Sequence, residues 1–87
     1  MYVYKIVDYI KLQGIGEVYF LDGCKQTVLR LDDILHDSSG NRFRVKSFEM
    51  INRHYDDMDI EDIPVAMRFD NIDGVSIAGI NTYLYKE

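Results

Sequence analysis

Apolar residues recur at every second position along most of this chain, and no helix-length stretch repeats them at a period of 3.6. Tyr2, Tyr4, Ile6, Ile10 and Leu12 share one parity, and Val3, Lys5, Val7, Tyr9 and Lys11 share the other. Alternation rich in Val, Ile and Tyr predicts a long, half-buried strand. Asp8 falls on the apolar parity, which predicts a bend or a bulge there. Gly14 and Gly16 end this strand and open a second, with Val18 and Phe20 on one face.

Turn chemistry divides the rest of the chain. Asp22-Gly23 closes the second strand, and a third stretch runs over about residues 26–31. Asp32-Asp33 turns the chain into a short strand, Ile34–His36. The segment Asp37-Ser38-Ser39-Gly40-Asn41 reads as a hairpin loop leading to a strand that begins at Arg42. Phe43 and Val45 share one face of that strand, but Phe48 and Met50 lie on the opposite parity. A period of two cannot change parity without an extra residue, so a bulge is expected near Ser47. A polar, acidic stretch follows and reads as a loop closed by Pro64, where a missing N–H is tolerated at a strand start. Val65, Met67 and Phe69 then alternate with Ala66 and Arg68. Residues 70–74 form a turn, Val75 and Ile77 a short segment, and residues 82–85 the last strand.

Six or seven short strands with frequent turns predict an all-β fold, a small barrel or sandwich. The 87 residues suffice for one such domain, read as residues 1–87, and not for two. Hydrophobic residues make up 47%, an ordinary share for a folded chain, so disorder is not expected. One cysteine, Cys24, excludes a disulfide-stapled scaffold. No apolar run approaches the roughly 20 residues needed to span a bilayer, and Asp8 and Lys11 interrupt the only N-terminal apolar stretch. The expected setting is the reducing cytoplasm, without a membrane partner.

Known catalytic and metal patterns do not fit. Gly14-Ile15-Gly16 has neither the length nor the following Lys-Ser or Lys-Thr of a phosphate-binding loop, and it reads as a strand corner. His36, His54 and Cys24 are too scattered to form a metal set by spacing, and nothing local activates the thiol. Asp57, Asp59 and Glu61 have the first spacings of a calcium loop. The position that needs Gly is Asp62 and the one that needs Glu is Arg68, so the pattern fails at both diagnostic places. The expectation is a non-enzyme with no cofactor and no metal.

Two charged features remain as candidate partner-binding sites. Arg42, Arg44 and Lys46 form a basic stripe on one strand face, the kind of surface that follows a phosphate backbone. Cations on an outer strand face also discourage edge-to-edge pairing. Asp56, Asp57, Asp59, Glu61 and Asp62 make the polar loop acidic. Fifteen acids against ten bases give a net charge of −5, which opposes general nucleic-acid affinity.

The order of motifs resembles the second, β-barrel domain of elongation factor Tu and related translation GTPases, as a stand-alone domain. Val7-Asp8-Tyr9-Ile10 matches its opening strand, and Gly14-Ile15-Gly16-Glu17-Val18 its Gly-x-Gly-x-Val, with Gly23 a few residues on. The segment from Leu29 through Asp32-Asp33 to Leu35 approximates Leu-x-x-Gly-Asp-x-apolar. Ser47-Phe48-Glu49-Met50 matches Ser-x-Glu-Met, and Ile77-Ala78-Gly79 precedes the last strand. The resemblance covers nearly the whole chain and implies an all-β fold, a small closed Greek-key β-barrel of about six strands of the translation-factor type. It also implies contact with transfer RNA or the ribosome. Ile15 and Ala78 stand where the family carries basic residues, and Asp32 stands where it carries Gly. The 87 residues leave no room for a GTP-binding domain, so GTP hydrolysis is not implied. Related barrels in flavin-binding reductases make an enzyme the third and most distant reading.

The expected function is therefore a stand-alone, non-catalytic binding module whose partner is another protein. The alternative is an accessory factor associated with RNA or the ribosome.

Overall fold

The two-residue period folds as six antiparallel strands: β1 (Tyr2–Leu12), β2 (Gly16–Asp22), β3 (Ile34–His36), β4 (Arg42–Phe48), β5 (Val65–Asn71) and β6 (Tyr83–Lys86). The structure is a computed structural model that describes residues 1–24, 26, 29–49 and 63–87. The strands close into a barrel in the order β1-β2-β5-β4-β3-β6. Strands β3, β4 and β5 run as neighbours, and β6 returns beside β3, which is the Greek-key arrangement. Closure leaves the sheet without a continuous free edge. No helix occurs among the described residues.

The barrel interior holds the main core: Tyr4, Ile6, Tyr19, Leu21, Leu35, Phe43, Val45, Met67 and Leu84, together with Leu29 and Ile77 from outside the strands. Full burial of each large apolar side chain contributes about 1.5–3 kcal/mol. A second cluster of Val18, Phe20 and Ala66 forms on the opposite face of β2 and β5, with Val7, Ile10 and Leu12 against it. Strand β2 is therefore buried on both faces from Val18 to Leu21.

Two bulges set which residues face inward. The β1–β2 register shifts between Ile6 and Asp8, so Val7 is the extra residue. Tyr4 and Ile6 face the interior before the shift, and Tyr9 packs against the same core after it. The bend predicted at Asp8 is thus present, but its effect on the strand corrects the parity reading: Ile10 and Leu12 join the outer cluster and leave the face of Tyr4 and Ile6. The second shift, between Val45 and Ser47, makes Lys46 the extra residue of β4. Phe48 then lies opposite Met67, as the parity change requires, yet it is 41% exposed because it ends the strand.

The turns have local causes. Gly23 has φ +95, and a Cβ there would come within 2.9 Å of the Val3 carbonyl oxygen and 2.8 Å of the Gln26 amide nitrogen. Only glycine allows that approach. Asp32 adopts φ 71 at the turn before β3. The Asp33 carboxylate accepts the Arg30 backbone N–H at 2.8 Å and pairs with Lys86 Nζ at 3.1 Å, tying this turn to β6. Asp37 holds the β3–β4 hairpin by accepting the backbone N–H groups of Ser39 and Asn41.

Some expected boundaries differ. Among the described residues of the 26–31 stretch, Gln26 and residues 29–31 belong to no strand; Leu29 reaches the core from an irregular segment. Strand β5 continues through Asn71, so the turn occupies residues 72–74. Residues 75–79 belong to no strand, and β6 begins at Tyr83 and not at Thr82.

Candidate functional site

The basic stripe lies on β4, where alternation places Arg42, Arg44 and Lys46 outside and Phe43 and Val45 inside. The neighbouring β5 and its following turn answer that stripe with acids. The Arg42 guanidinium forms a forked pair with Asp73, Nη2 to Oδ1 at 2.8 Å and Nε to Oδ2 at 3.2 Å. The Arg42 backbone N–H adds a third bond to the same carboxylate at 2.8 Å. These hydrogen bonds hold the Asp73 carboxyl below the usual carboxylate range. Lys46 Nζ lies 3.8 Å from Asp70 Oδ1. Arg44 stands opposite Asp70 on β5 and Ile34 on β3 and forms no ion pair among the described residues. Two of the three cations are thus already matched, which leaves Arg44 as the least committed.

The row beside the stripe is aromatic. Across the outer face, Arg42 is opposite His36, His36 opposite Tyr85, and Tyr85 opposite Val3. The His36 and Tyr85 rings are 5.6 Å apart at 30°, and Lys5 Nζ sits 5.9 Å from the Tyr83 ring centre. His36 therefore packs on a ring and meets no set of ligands: no group of three or more His, Cys, Asp or Glu among the described residues could hold a metal ion. Cys24 packs against the core, and burial first, then the Asp22 charge, pushes its thiol up to about 11. Such a thiol is a poor nucleophile at neutral pH. Asp56, Asp57, Asp59, Glu61 and Asp62, with His54 and Met50, lie outside the described residues.

A different cluster sits at one end of the barrel. The β1–β2 hairpin pairs Tyr9 with Tyr19 and Lys11 with Glu17. The Tyr9 hydroxyl donates to Glu17 Oε1 at 3.2 Å, and the Tyr19 hydroxyl donates to Oε2 at 2.9 Å. The two rings are 5.2 Å apart, and Phe69 stands 6.0 Å beyond Tyr19. Both phenols are held above their ordinary range, by loss of water contact first and then by Glu17. Tyr9, Glu17 and Tyr19 form one wall of a cavity of about 250 Å³, and residues 76–79 form the other. No cation among the described residues reaches ion-pair distance of Glu17, including Lys11 directly opposite.

Residues 75–79 reach this place because β1 pairs with β6 only from Tyr2 to Lys5. Ile6 then exchanges backbone hydrogen bonds with Thr82 and Asn81, at 2.9 and 2.7 Å, and the two chains separate. Among the described residues, no backbone group of residues 75–78 makes a hydrogen bond. Ile77 turns inward to the core, while Val75 and Ile80 stay exposed.

Sequence reading missed this cluster, although the signal was present. A Gly-x-Gly hairpin centred on Gly14 pairs Leu12 with Gly16, and counting back sets Tyr9 beside Tyr19. No family model, no curated protein and no solved structure matches the chain.

Proposed function

We propose that the protein is a non-catalytic binding module that engages another protein. The observation that carries this reading is the segment at residues 75–79, which belongs to no strand. The backbone groups of residues 75–78 make no hydrogen bond among the described residues, Val75 and nearby Ile80 are exposed, and residues 76–79 border a cavity. Unpaired backbone is what a partner strand adds to, with main-chain hydrogen bonds giving affinity and neighbouring pockets giving specificity. No helix of the described residues is long and apolar enough to cross a membrane.

A photo-crosslinking residue at position 78 tests the reading in host lysate. Protease-sensitive adducts of defined mass are the expected result. Absence of any protein adduct at this position, with adducts at a control position on β4, overturns it.

RNA contact is the second reading, and the row of Tyr85, His36 and Arg42 beside Arg44, which has no ion pair among the described residues, favours it. Aromatic rings next to a guanidinium suit unpaired bases and phosphate. It predicts salt-sensitive RNA binding that Arg44→Ala weakens. Binding that Arg44→Ala leaves unchanged removes this reading.

A further inference from the structure

We propose that the cavity beside Glu17 receives a basic side chain, arginine or lysine, carried on an extended segment of the protein partner. This rests on the protein-partner reading above and names the chemistry of what docks.

Glu17 accepts one tyrosine hydroxyl on each oxygen, which uses two of the roughly four acceptor positions of a carboxylate. The remaining positions and the negative charge have no cationic partner among the described residues. The hydroxyl bonds fix the carboxylate in place before any ligand arrives, so little ordering entropy is lost on binding. The Tyr9 and Tyr19 rings supply π-faces and edges along the same wall, and a guanidinium or ammonium group is attracted to such faces. The charged side chain opposite Glu17 is Lys11, which is exposed and makes no ion pair among the described residues. Arg68 lies on the other face of β5, next to Gly16, and does not enter the cavity.

The opposite wall explains why the cation should come on an extended chain. Residues 75–78 offer N–H and C=O groups, unbonded among the described residues, beside the cavity mouth. Gly79 has φ +124 and leaves open space where a side chain would stand. A partner strand laid along this segment points alternate side chains into the cavity. The net charge of −5 steers a basic segment toward the protein and repels an acidic one.

The test is an amide NMR titration with a blocked Val-Arg-Val tripeptide and its citrulline counterpart, which has the same shape and no charge. The arginine peptide should shift the amides of Tyr9, Glu17, Tyr19 and residues 76–79 in a saturable way. The citrulline peptide, and the arginine peptide on Glu17→Gln, should bind about tenfold or more weakly, the loss expected for one charge-assisted contact. Ala78→Trp, which fills the cavity and leaves Glu17 untouched, should block the shifts, so the result does not hang on one variant. Equal shifts from the two peptides, or no shifts at low-millimolar arginine peptide, overturn the proposal. If adducts still form at position 78 in that event, the protein-partner reading stands alone. If those adducts are absent, that reading has failed as well.

Discussion

The hydroxyl of Tyr4 is fully buried in the barrel and has no hydrogen-bond partner among the described residues. Burial first, and then the nearby Cys24, push this phenol up to about 12. An unsatisfied buried hydroxyl opposes folding by about 1–3 kcal/mol. Tyr4→Phe keeps the ring and removes the orphan, so it should leave stability unchanged or raise it by about 1 kcal/mol in urea unfolding. A loss above about 1 kcal/mol would show that the hydroxyl has an unseen partner. Cys24 gives the same residue-scale logic a pH signature. Its folded-state value of about 11 lies above the value near 8.5 expected of an unfolded thiol. The native state therefore keeps a proton that the unfolded chain releases. Stability from this group is complete below about pH 8.5 and is lost as pH rises toward 11. Urea midpoints should fall across that window, and Cys24→Ala should flatten the lower part of the decline. From about pH 10 the raised phenols Tyr4, Tyr9 and Tyr19 add to the fall.

At the scale of elements, β2 separates what alternation can tell from what it cannot. A period of two sorts Val18 and Phe20 from Tyr19 and Leu21, but it does not say that both sets are buried. Phe20 is 2% exposed and Leu21 is 0%. Phe20→Ala should cost about 3–5 kcal/mol and Leu21→Ala about 2–5 kcal/mol, measured by urea unfolding. A one-sided strand would show a large loss at only one of them, so a near-neutral Phe20→Ala would contradict the outer cluster. Both bulges are legible in the amino-acid sequence, because Asp8 and Phe48 each break an otherwise regular parity. What Val7 does to Ile10 and Leu12 is not, since a bulge reassigns every later residue of its strand. The 26–31 stretch misleads because Leu29 serves the core from an irregular segment, without a strand partner, while Leu31 is exposed. The basic stripe is readable from β4 alone. The pairing of Arg42 with Asp73 and of Lys46 with Asp70 is not, because cross-strand partners 24 or more residues away follow from register and not from local sequence. The Glu17 cavity needs even more: the hairpin register, the β1 bulge and the parting of β1 from residues 75–79.

The whole molecule depends on β6. This four-residue strand pairs with β1 through Tyr2, Val3, Tyr4 and Lys5 and meets β3 at His36, so it closes the barrel. It also places Leu84 in the core and Lys86 on Asp33. Truncation after Asn81 exposes two edges at once and removes a buried anchor, and it should abolish cooperative thermal unfolding and collapse amide NMR dispersion. A truncated chain with native dispersion would show that closure is dispensable. Closure by β6 also brings Tyr2 and Lys86 side by side in register. Paired positions in an antiparallel ladder stand about 5 Å apart. The path from β1 to β6 therefore nearly closes on itself as a ring. A linker of a few residues would complete it, and the ring could be reopened at the exposed Ser38-Ser39-Gly40 hairpin to give a circular permutant with the same barrel. The same near-meeting of ends suits the fold to insertion, entire, within a surface loop of a host protein.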